Sequence, residues 1–263
     1  YPIPQIADMA HKLRRIGLGV MGWADMLVKL GIRYDSDEGV KFAELIMKFI
    51  QEISWDESHR LAKEKGGFPL WKDSYFKTKV RNVAVTTIAP TGTISMIADC
   101  SSGIEPYFAL EYTKNVVDKK GLKYTNRYYE EAKRALGEKG KENQQLLDSI
   151  FRTSHQISPD WHVRMQAAFQ KYTDNAVSKT INFPGDATVA DIEKAYMLAW
   201  ELGCKGITVY RDGSREGQIL QTKEEGKRRK EEGKENEKIA QSQMKITPLS
   251  QRAYQVERRR ITE

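Results

Sequence analysis

The sequence predicts an α/β protein, and three observations carry that expectation. The run VRNVAVTTIAP, ending at Pro90, is β-branched and reads as a buried strand. Further on, SKTINFP, TVADIEKAYMLAWELGCKG and ITVYRDGSR read as strand, capped amphipathic helix and strand, an order that implies a parallel crossover. Between these segments lie several stretches with helical periodicity. With 263 residues, 40% hydrophobic and 30% charged, the chain suffices for one large domain or two smaller ones.

In chain order, two prolines lead into a helix whose stripe is Ile6, Met9, Ala10 and Leu13. RRIGLGVMGWADML follows, with Gly17, Gly19 and Gly22 spaced as G-x-G-x-x-G. That spacing marks a dinucleotide site only on a turn between a buried strand and a helix. Here a helical stripe precedes it. Asp35, Ser36 and Asp37, about twenty positions on, read as a loop and helix N-cap rather than a ribose-holding strand end. WADMLVKLGI is helical, and Asp35 or Ser36 caps a long helix with the stripe Phe42, Leu45, Ile46, Phe49 and Ile53, stopped at KGG. After the strand to Pro90, TGTISMIADCSSGIEPYF forms a loop and short helix. TNRYYEEAKRALGEKG, NQQLLDSI and SPDWHVRMQAAFQKYT are helical.

Composition removes several function classes. Cys100 and Cys204 form no close pair and no metal spacing, and His11, His59, His155 and His162 form no H-E-x-x-H group. No metal site and no disulfide framework is expected. Apolar runs fall short of a membrane span and no signal peptide opens the chain, so a cytoplasmic protein is expected. Of the net charge of +7, residues 221–263 carry +4, from 12 Lys and Arg against 8 Asp and Glu. KEEGKRRKEEGKENEK interleaves both signs without aromatics, the pattern of a solvated, disordered linker and not of a nucleic-acid surface. The expected division is therefore a body over 1–220 and a charged tail over 221–263, in which MKITPLSQRAYQVERRRITE recovers apolar content as the start of an incomplete further module.

The densest chemistry lies in APTGTISMIADCSSGIEP. Pro90, Thr91, Gly92, Thr93, Ile94 and Ser95 stand between a strand and a helix start. Gly92 permits close backbone approach, the three hydroxyls donate, and free N–H groups at a helix N-terminus attract an anion. The same residues also suit a Thr/Ser cap without a ligand. No Walker lysine is present, which excludes a P-loop NTPase. Glu105, in the nearby turn SSGIEP, is a candidate general base or structural anchor.

APTGTISMIADCSSGIEPYFALEY, RRIGLGVMGWADMLVKLGI and GCKGITVYRDGSR together resemble the C-terminal part of the catalytic barrel of a ribonucleotide reductase, of the adenosylcobalamin-dependent class (class II). The resemblance covers roughly residues 1 to 220. It implies the C-terminal half of a ten-stranded α/β barrel of the glycyl-radical type, with Gly17, Gly19 and Gly22 packing backbones closely near the cavity. It further implies that Pro90 to Ser95 cradle the phosphates of a ribonucleoside diphosphate or triphosphate, reduced at its 2′ carbon by radical chemistry that adenosylcobalamin initiates.

The family's radical cysteine, in an Asn-x-Cys-x-Glu setting, and its reducing cysteine pair are expected upstream of Tyr1. No catalytic residue is therefore assigned, and Cys100 and Cys204 are expected to be packing residues. Implied partners are the N-terminal half of the reductase, on the same or a separate chain, a second copy in a homodimer of the complete enzyme, and a thioredoxin-like reductant. The oxygen-dependent class uses a Tyr-Tyr dyad where this sequence has Val209-Tyr210, while Tyr128-Tyr129 is expected on a solvated helix face. Two alternatives stay open: a large-subunit segment of that oxygen-dependent class, and a phosphate- or nucleotide-binding module without chemistry.

Overall fold

The computed structural model describes residues 1–114, 122–136, 140–214 and 220–221. The expected tail over 221–263 lies, beyond Gln221, outside the described residues. The chain divides into two compact units, one of residues 1–110 and 125–217, the other of residues 111–124 and 218–263.

In the first unit, α1 (Pro4–Leu13) starts on a proline at its first turn and ends where Arg14 turns left-handed, at φ 52°. α2 (Trp23–Leu30) runs between Gly22 and Gly31, both at positive φ. α3 (Asp37–Lys65) is capped by Ser36, whose Oγ accepts the Gly39 N–H at 3.0 Å. Asp35 does other work. Arg33 grips its carboxylate with two bonds of 2.6 and 2.8 Å, and Arg152 adds a second cation at 3.3 Å. Burial pushes this carboxyl up, but the Arg33 bonds and the two charges outweigh it and hold it below the usual range.

The long stripe of α3 splits. Ala43 and Met47 are fully buried, with Phe42, Ile46 and Ile50 packed beside them, whereas Leu45, Phe49 and Ile53 are exposed. The row Leu45, Phe49, Ile53 is two residues out of step with Ala43 and Met47, about 160° round the helix.

The run expected to be one continuous strand before Pro90 is extended but forms only isolated parallel bridges, Leu18↔Thr86 and Ile88↔Val177. On one side Leu18 donates to Val85 O at 2.8 Å and accepts from Thr87 N at 2.9 Å; on the other, Ser178 donates to Ile88 O at 2.8 Å. The ladder is interrupted by a side chain. The Asp174 carboxylate accepts the Val85 and Thr86 N–H groups at 2.8 and 3.2 Å, while the Trp55 indole and the Gln51 amide bond its other oxygen.

β3 (Thr180–Phe183) and β4 (Thr208–Arg211) pair in parallel, Thr180 opposite Thr208 and Phe183 opposite Arg211. The crossover α8 (Val189–Glu201) opens with a reciprocal capping box between Thr188 and Asp191, as the alternation of strand, helix and strand predicts. α7 (Pro159–Gln170) lies between two cores: Met165 and Phe169 join Trp23, Leu27, Met47 and Ile88, while Val163 faces Ile181, Phe183, Ala195 and Ala199.

A third cluster joins α5 (Arg127–Leu136) to α6 (Gly140–Ile150) through Tyr129, Leu147 and Phe151. The solvated face expected for Tyr128-Tyr129 is corrected here: Tyr129 is buried against Phe151, and Tyr128 packs partly against the same cluster with Lys29 and Arg127 over its ring. A surface rich in charge misled because long Lys and Arg stems cover aromatic rings. The second unit has a sheet in the order β2 (Leu122–Thr125), β1 (Glu111–Lys114) and β5 (Leu220–Gln221), with β1 and β5 antiparallel, Thr113 opposite Gln221. Among the described residues no helix is long and apolar enough to cross a membrane.

Candidate functional site

Where the extended run ends, Pro90 and Gly92 to Ile94 are exposed and the chain enters α4 (Ile94–Ile97), a single turn. Thr91 turns the chain there by adopting φ 54°, a left-handed conformation that costs a β-branched residue about 1–2 kcal/mol. What holds it is its own side chain: Oγ1 accepts the Gly103 N–H at 2.7 Å. The Thr91 carbonyl accepts the Ser95 N–H at 2.9 Å. Ser95 is buried, and its hydroxyl shares a 2.9 Å hydrogen bond with Ser102 Oγ.

The N–H groups of Gly92, Thr93 and Ile94 have no acceptor among the described residues. A Cβ at Gly92 would meet nothing within 4 Å. Thr93 makes no side-chain cap bond. The side-chain cap expected as the alternative use of these residues is therefore absent, and three successive exposed residues carry unengaged N–H donors.

The turn behind the loop is itself clamped. Asp25, from the first turn of α2, accepts the Ser101 N–H at 2.7 Å and the Tyr107 hydroxyl at 2.6 Å, and Gly22 donates to Ser101 O at 2.7 Å. Burial and the Asp25 carboxylate push the Tyr107 phenol far up, so it stays a donor. Tyr34, fully buried, donates to Ile104 O at 2.7 Å. The G-x-G-x-x-G stretch thus lies beside the loop with its glycines used for packing. A Cβ at Gly17 would overlap the Thr87 methyl, and one at Gly19 would overlap the Thr87 carbonyl oxygen.

Glu105 anchors the far side. Its Oε2 accepts from Lys179 Nζ at 2.7 Å and its Oε1 from the Thr180 N–H at 2.6 Å. The Lys179 ammonium is completely buried and spends its other two protons on Thr180 O and His162 Nδ1, both at 2.8 Å. That contact makes Nδ1 the acceptor, so Nε2 carries the proton donated to Ser154 O at 3.0 Å. Burial first, and the Lys179 charge second, push His162 down to about 2, leaving it neutral. Of the two readings open for Glu105, the anchor is the one this geometry supplies.

Cys100 lies against Gly22 and Cys204 packs beside the cluster of α8; burial raises both thiols, Cys204 to about 11. Among the described residues no group of three His, Cys, Asp or Glu side chains could hold a metal ion. Sequence reasoning missed Asp25, Asp174, Lys179 and His162 as parts of this frame. For Lys179 a signal exists: Val177, Lys179, Ile181 and Phe183 alternate as the buried residues of their stretch, which places a lysine in phase with the apolar face.

A family model described as ribonucleotide reductase, barrel domain, matches residues 1–80 and 76–210. Over 239 residues the chain is 47% identical to a vitamin B12-dependent ribonucleoside-diphosphate reductase of Thermoplasma acidophilum, covering 84% of this chain and 31% of that protein. Over 237 residues it is 44% identical to a protein of the same description from Mycobacterium tuberculosis, covering 84% and 34%. Among solved structures, the class Id ribonucleotide reductase alpha subunit of Actinobacillus ureae superposes with a TM-score of 0.67 at 26% identity, covering 81% of this chain and 42% of that one. The chain spans about a third of the length of the two B12-dependent relatives.

Proposed function

Since the chain belongs to the ribonucleotide reductase family through its barrel domain, we propose that it is a segment of a vitamin B12-dependent ribonucleotide reductase whose Pro90–Ser95 loop receives the substrate's phosphates. The observation that carries this reading is the run of unengaged N–H groups at exposed Gly92, Thr93 and Ile94, next to Thr91 in its left-handed turn and with room at Gly92. Such a nest of backbone donors suits an anion of two or more negative charges.

In the Michaelis complex these donors would fix the phosphate end, leaving the ribose to be presented to cysteines supplied outside this segment. The likeness to two B12-dependent reductases at 44–47% identity favours cobalamin over a partner subunit as the source of the radical. When bound, that cofactor supplies the initial radical. The described residues single out no place for it: His162, the buried imidazole, has both ring nitrogens engaged. This segment's own work is binding and orientation. A ten-stranded closure, a homodimer, a thioredoxin-like reductant and a polypeptide bearing Asn-x-Cys-x-Glu belong to the same proposal.

Gly92→Glu tests the loop. The new side chain has room, so the thermal midpoint stays within about a degree of the parent's, while its carboxylate repels the anion and weakens binding of a ribonucleoside diphosphate by tenfold or more. Isothermal titration against the parent chain measures it; equal affinities would exclude the loop as the phosphate site. A second expected result concerns turnover. The chain alone, given adenosylcobalamin, a dithiol and ribonucleoside diphosphate, forms no deoxynucleotide by chromatography, because Cys100 and Cys204 sit in packing positions.

A further inference from the structure

We propose that Lys179 is a positioning residue for the phosphate loop, acting through Glu105 and the turn Ser101–Glu105. This rests on the reading of Pro90–Ser95 as the phosphate site. A continuous path of hydrogen bonds carries the argument. The Lys179 ammonium, with no exposed surface, holds Glu105 Oε2 at 2.7 Å, and Glu105 Oε1 is fixed by the Thr180 N–H of β3 at 2.6 Å. Glu105 closes its own turn by donating its N–H to Ser102 O at 2.9 Å. Ser102 Oγ meets Ser95 Oγ at 2.9 Å, and the Gly103 N–H meets Thr91 Oγ1 at 2.7 Å. Both ends of the loop's turn, Thr91 and Ser95, are thereby tied to a charge set in the wall.

A buried ammonium is costly, and a strand position between Val177 and Ile181 would take an apolar side chain more cheaply. Lysine is retained there with all three protons spent. Two of its acceptors, the Thr180 carbonyl and His162, belong to the wall and core, and the third is the only link in the set to the turn. The charge also matters to an anion site. Glu105 lies two residues from Gly103, and without Lys179 its carboxylate would leave an uncompensated negative charge at the base of the turn. The groups that bear on Glu105 are Lys179, the Tyr34 phenol and, through Lys179, His162, with His155 beside His162.

The experiment compares the parent chain with Lys179→Met and, in case that variant does not fold, with Glu105→Gln, which keeps the lysine and the shape. Two readouts are taken: hydrogen exchange of the peptide spanning residues 88–106, and pyrophosphate affinity at pH 8. Both variants are expected to lose protection at Gly103 and Ser95 and to bind pyrophosphate about tenfold more weakly at pH 8. Adding Glu105→Gln to Lys179→Met removes the uncompensated carboxylate and is expected to restore part of the affinity but none of the protection. Unchanged protection in folded variants overturns the inference, as does a double variant that binds pyrophosphate no better than Lys179→Met. Absence of pyrophosphate binding by the parent overturns the phosphate reading of the loop alone, and the exchange data then decide whether Lys179 positions it.

Discussion

Gly19→Ala is expected to cost about 3 kcal/mol or more and to lower the thermal midpoint by roughly 6–12 °C. The added methyl would overlap the Thr87 carbonyl oxygen and come within 3.2 Å of its carbonyl carbon. Neither is able to swing aside. The flanking bonds, Leu18 N to Val85 O at 2.8 Å and Thr87 N to Leu18 O at 2.9 Å, hold the two segments at their spacing, so relief requires breaking them. Gly17→Ala is the informative contrast, because there the overlap is with the Thr87 methyl. Adding Thr87→Ser removes that methyl and is expected to restore most of the loss at position 17 and none at position 19. Calorimetry of the four variants checks it; rescue of Gly19→Ala by Thr87→Ser would refute the backbone contact.

A second large effect is set by pH through His162. In the folded chain this imidazole is neutral, its Nδ1 facing the Lys179 ammonium at 2.8 Å and its Nε2–H on Ser154 O at 3.0 Å. A proton added at Nδ1 would set two donors against each other in a site without water-accessible surface. Its folded value near 2 lies below the ~6.5 of an unfolded histidine. The unfolded chain therefore binds one proton more between those limits, and stability falls as pH falls. It is fully present above about pH 6.5 and is lost at about 1.4 kcal/mol per pH unit below it. Between pH 6.5 and pH 4.5 that is roughly 2–3 kcal/mol, a large share of the 5–15 kcal/mol typical of a domain. His162→Gln, whose amide can donate to Ser154 and accept from Lys179, is expected to flatten this slope. Urea unfolding at several pH values compares the two; parallel pH profiles would show that His162 contributes none of it.

The sequence exposed whatever its local chemistry encodes. Thr188 followed three residues later by Asp191 announces a capping box, and SKTINFP and ITVYRDGSR flank that helix as the paired parallel strands they proved to be. The turn at Pro90–Ser95 was legible too, since proline, glycine and hydroxyl residues at the end of a β-branched run favour a turn. What stayed hidden depends on long-range partners. Asp25 reads as an ordinary first-turn acid of α2 until Ser101 and Tyr107 close on it. Asp174 reads as a loop residue, yet it replaces a strand's partner for Val85 and Thr86, which is why the expected strand before Pro90 breaks into bridges. Tyr129 reads as surface because Arg127 and Lys133 of its own helix lie over the Tyr128 and Tyr129 rings.

Those same long-range partners give the loop a late place in folding. The bonds that frame it join residues 70 to 82 apart: Tyr34 to Ile104, Lys179 to Glu105, Asp25 to Ser101 and Tyr107 to Asp25. Closing such separations costs chain entropy before any contact repays it, so topology of this kind forms slowly and as a whole. The side-chain bond that holds the left-handed turn at Thr91 forms only when Gly103, 12 residues on, arrives. The conformation of the Pro90–Ser95 loop therefore appears only once these distant segments close together, and a half-folded chain would expose its strands long before it formed the loop.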